Sequence, residues 1–115
     1  LKKGELLFSE NDICEYIGIV KTGEIIIVSY LEDGKEIIYN SINANGVFGN
    51  NLIFSSDQRY RGDVIAKVET ELYLINKENL IKILQTNQKF LLVYLNLQSD
   101  FGKELNLKIK LLIKK

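Results

Sequence analysis

The sequence holds no histidine, no proline, no methionine, no tryptophan and a single cysteine, Cys14. Without histidine, and with one thiol, it cannot build a structural zinc site or hold an iron–sulfur cluster. General acid–base catalysis would fall to isolated carboxylates such as Glu5 or Asp63. A lone cysteine forms no intrachain disulfide, which suits a reducing, cytoplasmic setting. No apolar run approaches the roughly 18–20 residues of a membrane span. The opening residues also lack a charged-then-apolar signal pattern, so no membrane contact is expected. The absence of proline leaves the turns to glycine, asparagine and aspartate. A chain that begins at Leu1 and contains no methionine reads as a segment of a longer protein.

What is present fits one domain: 115 residues, 46% of them hydrophobic. Fifteen basic and fifteen acidic residues cancel, but unevenly. Residues 102–115 carry five lysines against Glu104, a surplus of four, which leaves residues 1–101 at −4. A basic end of this kind reads as a solvated helix face or a tail.

The first four-fifths consists of short β-type segments between turn signals, the spacing of a sandwich or barrel. Strands are expected over Glu5 to Phe8, in "EYIGIV", in "EIIIVSY" and in "KEIIYNSI", with closing strands at Asp63 to Val68 and Glu71 to Ile75. Leu31-Glu32-Asp33-Gly34 joins two β-branched runs, and Asp-Gly between such runs predicts a hairpin. After the turn "NANG", Val47-Phe48-Gly49 leads into the apolar patch Leu52-Ile53-Phe54 and the loop "SSDQ". Tyr30, Tyr39 and Tyr60 read as packing aromatics on strands, and Cys14 as an ordinary thiol at a loop edge.

From Asn76 the period changes to that of a helix. Asn76 can cap a short helix running through Leu84, and Asn87 a longer one. In the second helix Leu91, Tyr94, Gln98, Phe101, Leu105, Lys108 and Leu112 recur at spacings of three and four, flanked by Leu95 and Ile109. At 1.5 Å per residue, a helix from Asn87 to the end would reach roughly 43 Å, more than this domain needs to cover its own core. Leu91, Tyr94, Leu95, Gln98, Phe101, Leu105, Ile109 and Leu112 are therefore expected to pack in part on another molecule, a helix folded back on its own sheet being the alternative. The domain division follows: residues 1–86 as a β-roll with its short helix, and residues 87–115 as the long helix.

These segments resemble the sensor domain of the cyclic-AMP receptor and FNR (Crp/Fnr) family of bacterial transcription regulators. "KKGELLFSENDICEYIGIVKTGEIIIVSYLEDGKEII" is similar to the family's K-G-E, E-G-D, Y-I-V, T-G-E and E-D-G-K-E series. "GVFGNN" resembles its G-x-x-F-G-E, and "VIAKVETELYLINKENLIKIL" its V-x-A-x-x-x-x-x-L-x-x-I with the short helix after it. The correspondence covers Lys2 to Lys115. It implies a mainly β fold, a jelly-roll (double-stranded β-helix) barrel followed by a short and a long helix. It also implies a homodimer built along residues 87–115 as a long dimerisation helix, with the stripe from Leu91 to Leu112 as the dimer interface, DNA bound through a C-terminal helix-turn-helix domain beyond Lys115 and RNA polymerase as a further partner.

In the nucleotide-binding members that the chain resembles, a glutamate after F-G accepts the ribose hydroxyl, and an arginine followed by serine or threonine neutralises the cyclic phosphate. A carboxylate accepts without offering a competing donor, and a guanidinium forks onto phosphate oxygens. Here Asn50 stands at the glutamate position, Tyr60 at the arginine and Arg61 at the serine, followed by Gly62 and Asp63. Leu105 and Asn106 fall where two hydroxyl side chains meet the purine. A phenol supplies no fixed positive charge for a buried phosphodiester, so cyclic AMP is not the expected effector, and the effector is left unnamed. Gly49, Asn50, Asn51, Arg59, Tyr60, Arg61, Gly62, Leu105 and Asn106 are the candidate effector-binding residues. A β-bulge could re-aim Arg59 or Arg61 inward, and a helix N-terminus near Asn50 to Leu52 could offer backbone donors to an anion.

The resulting expectation is a non-enzymatic, cytoplasmic, effector-sensing and dimerising domain of a bacterial transcription regulator. The alternative is a cyclic-nucleotide-binding regulatory domain of a kinase or channel, which Asn50 and Tyr60 disfavour because those domains use the same glutamate and arginine.

Overall fold

The computed structural model describes residues 1–113, with side chains through Phe101 and at Lys103. Seven strands precede two helices: β1 (Leu6–Phe8), β2 (Tyr16–Thr22), β3 (Glu24–Tyr30), β4 (Glu36–Asn43), β5 (Val47–Phe48), β6 (Asp63–Ala66), β7 (Glu71–Asn76), α1 (Lys77–Thr86) and α2 (Gln88–Ile113). The expected strands are all present, with ends shifted by a residue or two. The fold is mainly β, as the sequence implies: a jelly-roll-like pair of antiparallel sheets.

One sheet has the order β1-β6-β3-β4 and the other β5-β2-β7. The chain changes sheet between β2 and β3 at Gly23, whose φ of +94° is open to glycine at no steric cost. Ile17, Val20 and Phe48 from the smaller sheet and Ile25, Val28, Ile42, Val64 and Ala66 from the larger one are buried. Phe48 sits over Gly18, its register partner in β2. A Cβ at Gly18 would collide with the far edge of the Phe48 ring, so the ring occupies the space that the missing side chain leaves.

The predicted hairpin is β3–β4. Asp33-Gly34 forms its tip, with Gly34 at φ +86° and its amide donating to the Leu31 carbonyl at 2.9 Å. The register steps from Ile27↔Asn40 to Val28↔Ile38, which leaves Tyr39 as a bulged residue. β4 is the last strand of its sheet, and only Ile42 on it is buried. Tyr30 and Tyr39, read from the sequence as packing aromatics, are exposed: Tyr30 lies past the last residue of β3 paired with β6, and Tyr39 is the bulged residue of the edge strand.

Residues Leu1–Lys77 form one compact unit, and the helices from Glu78 onward form another. Within the second unit the Asn87 side chain accepts the Phe90 amide at 3.0 Å, the expected N-cap. α2 then runs 26 residues, about 39 Å, without a break at Gly102. Its stripe divides: Tyr94 is only 8% exposed in the single chain, Leu91 and Gln98 are half-buried, and Leu95 and Phe101 are exposed. Leu92 and Val93, which the stripe omits, are also exposed. The side chains of Leu105, Ile109 and Leu112 lie outside the described residues.

Replacing Gly18→Ala should destabilise the roll by about 1–3 kcal/mol through overpacking against Phe48. Urea unfolding would measure this, and pairing it with Phe48→Leu should recover part of the loss.

Candidate functional site: the loop from Gly49 to Asp63

Gly49 follows β5 with a φ of +82°, and a Cβ there would stand 2.6 Å from the Tyr16 carbonyl oxygen. Only glycine fits both conditions. Its own carbonyl accepts the amides of Leu52 at 3.2 Å and Ile53 at 3.0 Å. The segment that follows is a series of turns rather than a helix. The expected helix N-terminus near Asn50 to Leu52 is therefore not formed, and the Leu52 and Ile53 amides are already bonded. The loop is anchored below by Ile53, which is fully buried and whose carbonyl accepts from the Gln58 amide group at 2.7 Å.

Beyond Gln58 the chain pairs with the segment around Cys14. The Cys14 amide donates to the Gln58 carbonyl at 2.7 Å, the Tyr60 amide to the Asp12 carbonyl at 3.0 Å, and the Asn11 amide to the Tyr60 carbonyl at 2.9 Å. Ile13 and Arg59 form an antiparallel bridge. Extended chain alternates its side chains, so Tyr60 points inward, 1% exposed, while Arg59 and Arg61 both point out. No bulge re-aims either arginine.

The Tyr60 ring stacks on Phe8 with centroids 5.1 Å apart and an interplanar angle of 11°, and Phe8 in turn lies 6.0 Å from Tyr16. The Tyr60 hydroxyl has no hydrogen-bond partner of acceptable geometry. Its polar neighbour is the Cys14 thiol, close enough to perturb the phenol without being aligned with it. Burial pushes the phenol well above its ordinary pKa, and the thiol adds to the shift. Cys14, at the loop edge two residues before β2, is fully buried and directs its Sγ toward the carbonyls of Tyr16 at 3.3 Å and Gly49 at 3.7 Å. Burial raises its pKa as well, against smaller opposing effects from Tyr60, Tyr16 and Lys77. Both groups are therefore neutral in the folded protein at physiological pH.

The candidate residues thus separate into two sets. Gly49, Asn50, Tyr60 and Gly62 are buried, and Gly49 and Tyr60 converge on Cys14, a residue the sequence reading did not select. Asn51, Arg59 and Arg61 are exposed. Arg59 is held by Asp57 at 3.0 and 3.3 Å, and its hydrogen bonds keep the Asp57 carboxyl below the usual carboxylate range. Asp63 accepts the Glu10 amide at 2.8 Å, which occupies one of its oxygens. A Cβ on Gly62 would stand 2.6 Å from the Val28 carbonyl, so no larger residue with a hydroxyl fits there without movement. The side chains of Leu105 and Asn106 lie outside the described residues. Cys14 was missed because Ile13, the more apolar neighbour, would be placed inside by pattern alone, whereas the pairing with the arginine strand turns Ile13 out.

A sheet pair of this topology, with a glycine-bounded loop entering its interior, is the architecture of nucleotide-sensing rolls. Residues 1–87 match the family model for the cyclic nucleotide-binding domain, and the chain belongs to that family. Its structural neighbours are mainly Crp/Fnr-type transcription regulators, with the EAL enzyme Bd1971 also among them. A transcriptional regulator from Thermotoga maritima superposes with a TM-score of 0.88 at 25% identity, over 100% of this chain and 89% of that one. The sensor domain of the regulator DNR from Pseudomonas aeruginosa gives 0.76 at 21% identity, over 96% of this chain and 71% of that one. The catabolite activator protein from Thermus thermophilus gives 0.78 at 18% identity; the match covers 97% of this chain but 52% of that one, so this chain spans about half of that regulator. A comparison with curated proteins gives no match.

An unpartnered buried hydroxyl carries a desolvation cost of about 1–3 kcal/mol. Tyr60→Phe removes the hydroxyl and keeps the ring stack, so it should raise stability by about 1 kcal/mol, seen as a higher urea midpoint at unchanged slope.

Proposed function

We propose that this domain is the sensing and dimerising part of a Crp/Fnr-type bacterial transcription regulator whose roll does not take cyclic AMP. The observation that carries the reading is the Tyr60 ring, buried in an aromatic stack at the place of the phosphate-binding arginine, with Arg59 and Arg61 both turned outward. Removing a phosphodiester from water without a paired cation is strongly unfavourable. Among the described residues the buried polar side chains are Asn50 and Thr70, both neutral. Asn50 can accept from one ribose hydroxyl through its carbonyl oxygen but offers no charge.

In this reading the protein works as a cytoplasmic homodimer. α2 is the pairing element, and its exposed Leu92, Val93 and Leu95 supply apolar surface on a single chain. DNA is bound by a helix-turn-helix domain that follows α2, with RNA polymerase as a further contact, and a shift in the helix pair sets the spacing of the two DNA-reading heads. Residues 1–86 are the sensing roll with its short helix, and residues 87–115 the pairing helix. The module performs no chemistry of its own, in keeping with a sequence that has no histidine and no metal-ligand set. No helix among the described residues is long and apolar enough to cross a membrane.

Thermal denaturation with saturating cyclic AMP should leave the melting temperature unchanged, because a ligand stabilises only the state it binds. A concentration-dependent rise would overturn the reading. Leu95→Glu, at a position half exposed in the single chain, should shift sedimentation toward the mass of one chain; an unchanged mass would show that pairing uses another surface.

A further inference from the structure

Asn45-Gly46 is the one Asn-Gly step in the sequence, and it lies in the turn that joins β4 to β5. In such a step the glycine nitrogen can attack the asparagine side-chain carbonyl carbon, because glycine has no side chain to shield it. Main-chain hydrogen bonds pin this turn. The Asn45 amide donates to the Val20 carbonyl at 2.8 Å, the Val20 amide to the Gly46 carbonyl at 3.0 Å, and the Gly46 amide to the Asn43 carbonyl at 2.8 Å. The two groups that would react are therefore held unequally. The Asn45 side chain is exposed and makes no hydrogen bond among the described residues. The Gly46 nitrogen has its proton engaged, and the glycine is packed so closely that a Cβ would stand 2.8 Å from the Asn43 carbonyl oxygen. Asn45 itself sits at φ +71°, in the left-handed region that asparagine enters more readily than most residues.

We propose that Asn45 is a site of spontaneous deamidation, gated by the opening of this turn, and that its isoaspartate product releases β5 from β2. Water is the only co-reactant. Once the bond from Gly46 to Asn43 opens, the Gly46 nitrogen loses its proton and bonds to Asn45 Cγ, closing a succinimide ring. The bond from Cγ to Nδ2 breaks, and ammonia leaves with that proton. Water then adds to one of the ring carbonyls and breaks its bond to the ring nitrogen. Opening at Cγ gives aspartate. Opening at the main-chain carbonyl gives isoaspartate, whose main chain runs through Cβ and Cγ and is longer by a methylene. While the turn is closed the nitrogen keeps its proton, so the reaction runs through the open fraction and its rate tracks that fraction. An extra methylene at position 45 separates the bonds that Val20 makes with Asn45 and Gly46, and the pair no longer fits a single register. β5 has only two residues, paired as Gly18↔Phe48 and Ile19↔Val47, so little else holds it. Phe48, buried over Gly18, and Gly49, which opens the loop, follow directly.

The test is incubation of the full chain at mildly alkaline pH, with and without urea, followed by peptide mapping by mass spectrometry. In urea, Asn45 should convert ahead of every other asparagine. In buffer its conversion should be about tenfold slower or more, because only the open fraction reacts. Asn45→Gly accepts the left-handed φ and removes the reacting amide, so it should abolish the mass gain and keep the fold. Asn45→Asp carries the new charge without the extra methylene. Its Val20 amide should exchange with deuterium as slowly as in the parent chain, whereas in the isolated isoaspartate form that amide should exchange about tenfold faster or more. Equal rates in buffer and urea would show that the turn is no gate. Preferential conversion at another asparagine, or no conversion in urea, would show that Asn45 is not the site. An isoaspartate form with Val20 still protected would overturn the release of β5. Every arm is read without an effector, so the result stands apart from the cyclic AMP experiment.

Discussion

The interior of the roll is committed by one side chain. Tyr60 fills it with a neutral ring, with Phe8 stacked on one face and the Cys14 thiol beside the hydroxyl. A low-dielectric interior tolerates a ring and rejects an uncompensated charge. Burial also keeps the phenol and the thiol protonated.

The charges of the loop lie on its outer side. Pairing with the Cys14 segment fixes the alternation of residues 59–61, and once Tyr60 points in, geometry places both guanidinium groups on the outside. One is quenched by Asp57, and the other stands at the margin of the bulged β4. The exposed chemistry of the loop is thus a direct consequence of the choice of residue at its buried position.

Legibility in the sequence followed the range of the interactions. The β3–β4 hairpin was readable because Asp33-Gly34 sets its own turn, and the start of α2 because Asn87 caps the helix three residues from where its side chain bonds. The reading of Tyr60 as a packing aromatic also holds, since its ring is buried. Less was visible where the outcome depends on strands distant in sequence. Cys14 is buried and Ile13 exposed only because residues 11–14 pair with residues 58–60. Asp63 is bonded to Glu10, 53 positions away. Tyr94 belongs to the single chain's own buried surface, which a helical stripe cannot distinguish from a pairing seam.

The bulge at Tyr39 also bears on how the protein behaves when crowded. β4 ends its sheet with an unpaired backbone rim, and Ile37, Ile38 and Tyr39 give that rim an oily character. A straight, flat strand of this composition invites another chain to add to it, the first step toward fibrous aggregates. The extra residue bends the rim and breaks its regular row of donors and acceptors. The same irregularity that turns a tyrosine toward the loop is therefore a safeguard of solubility.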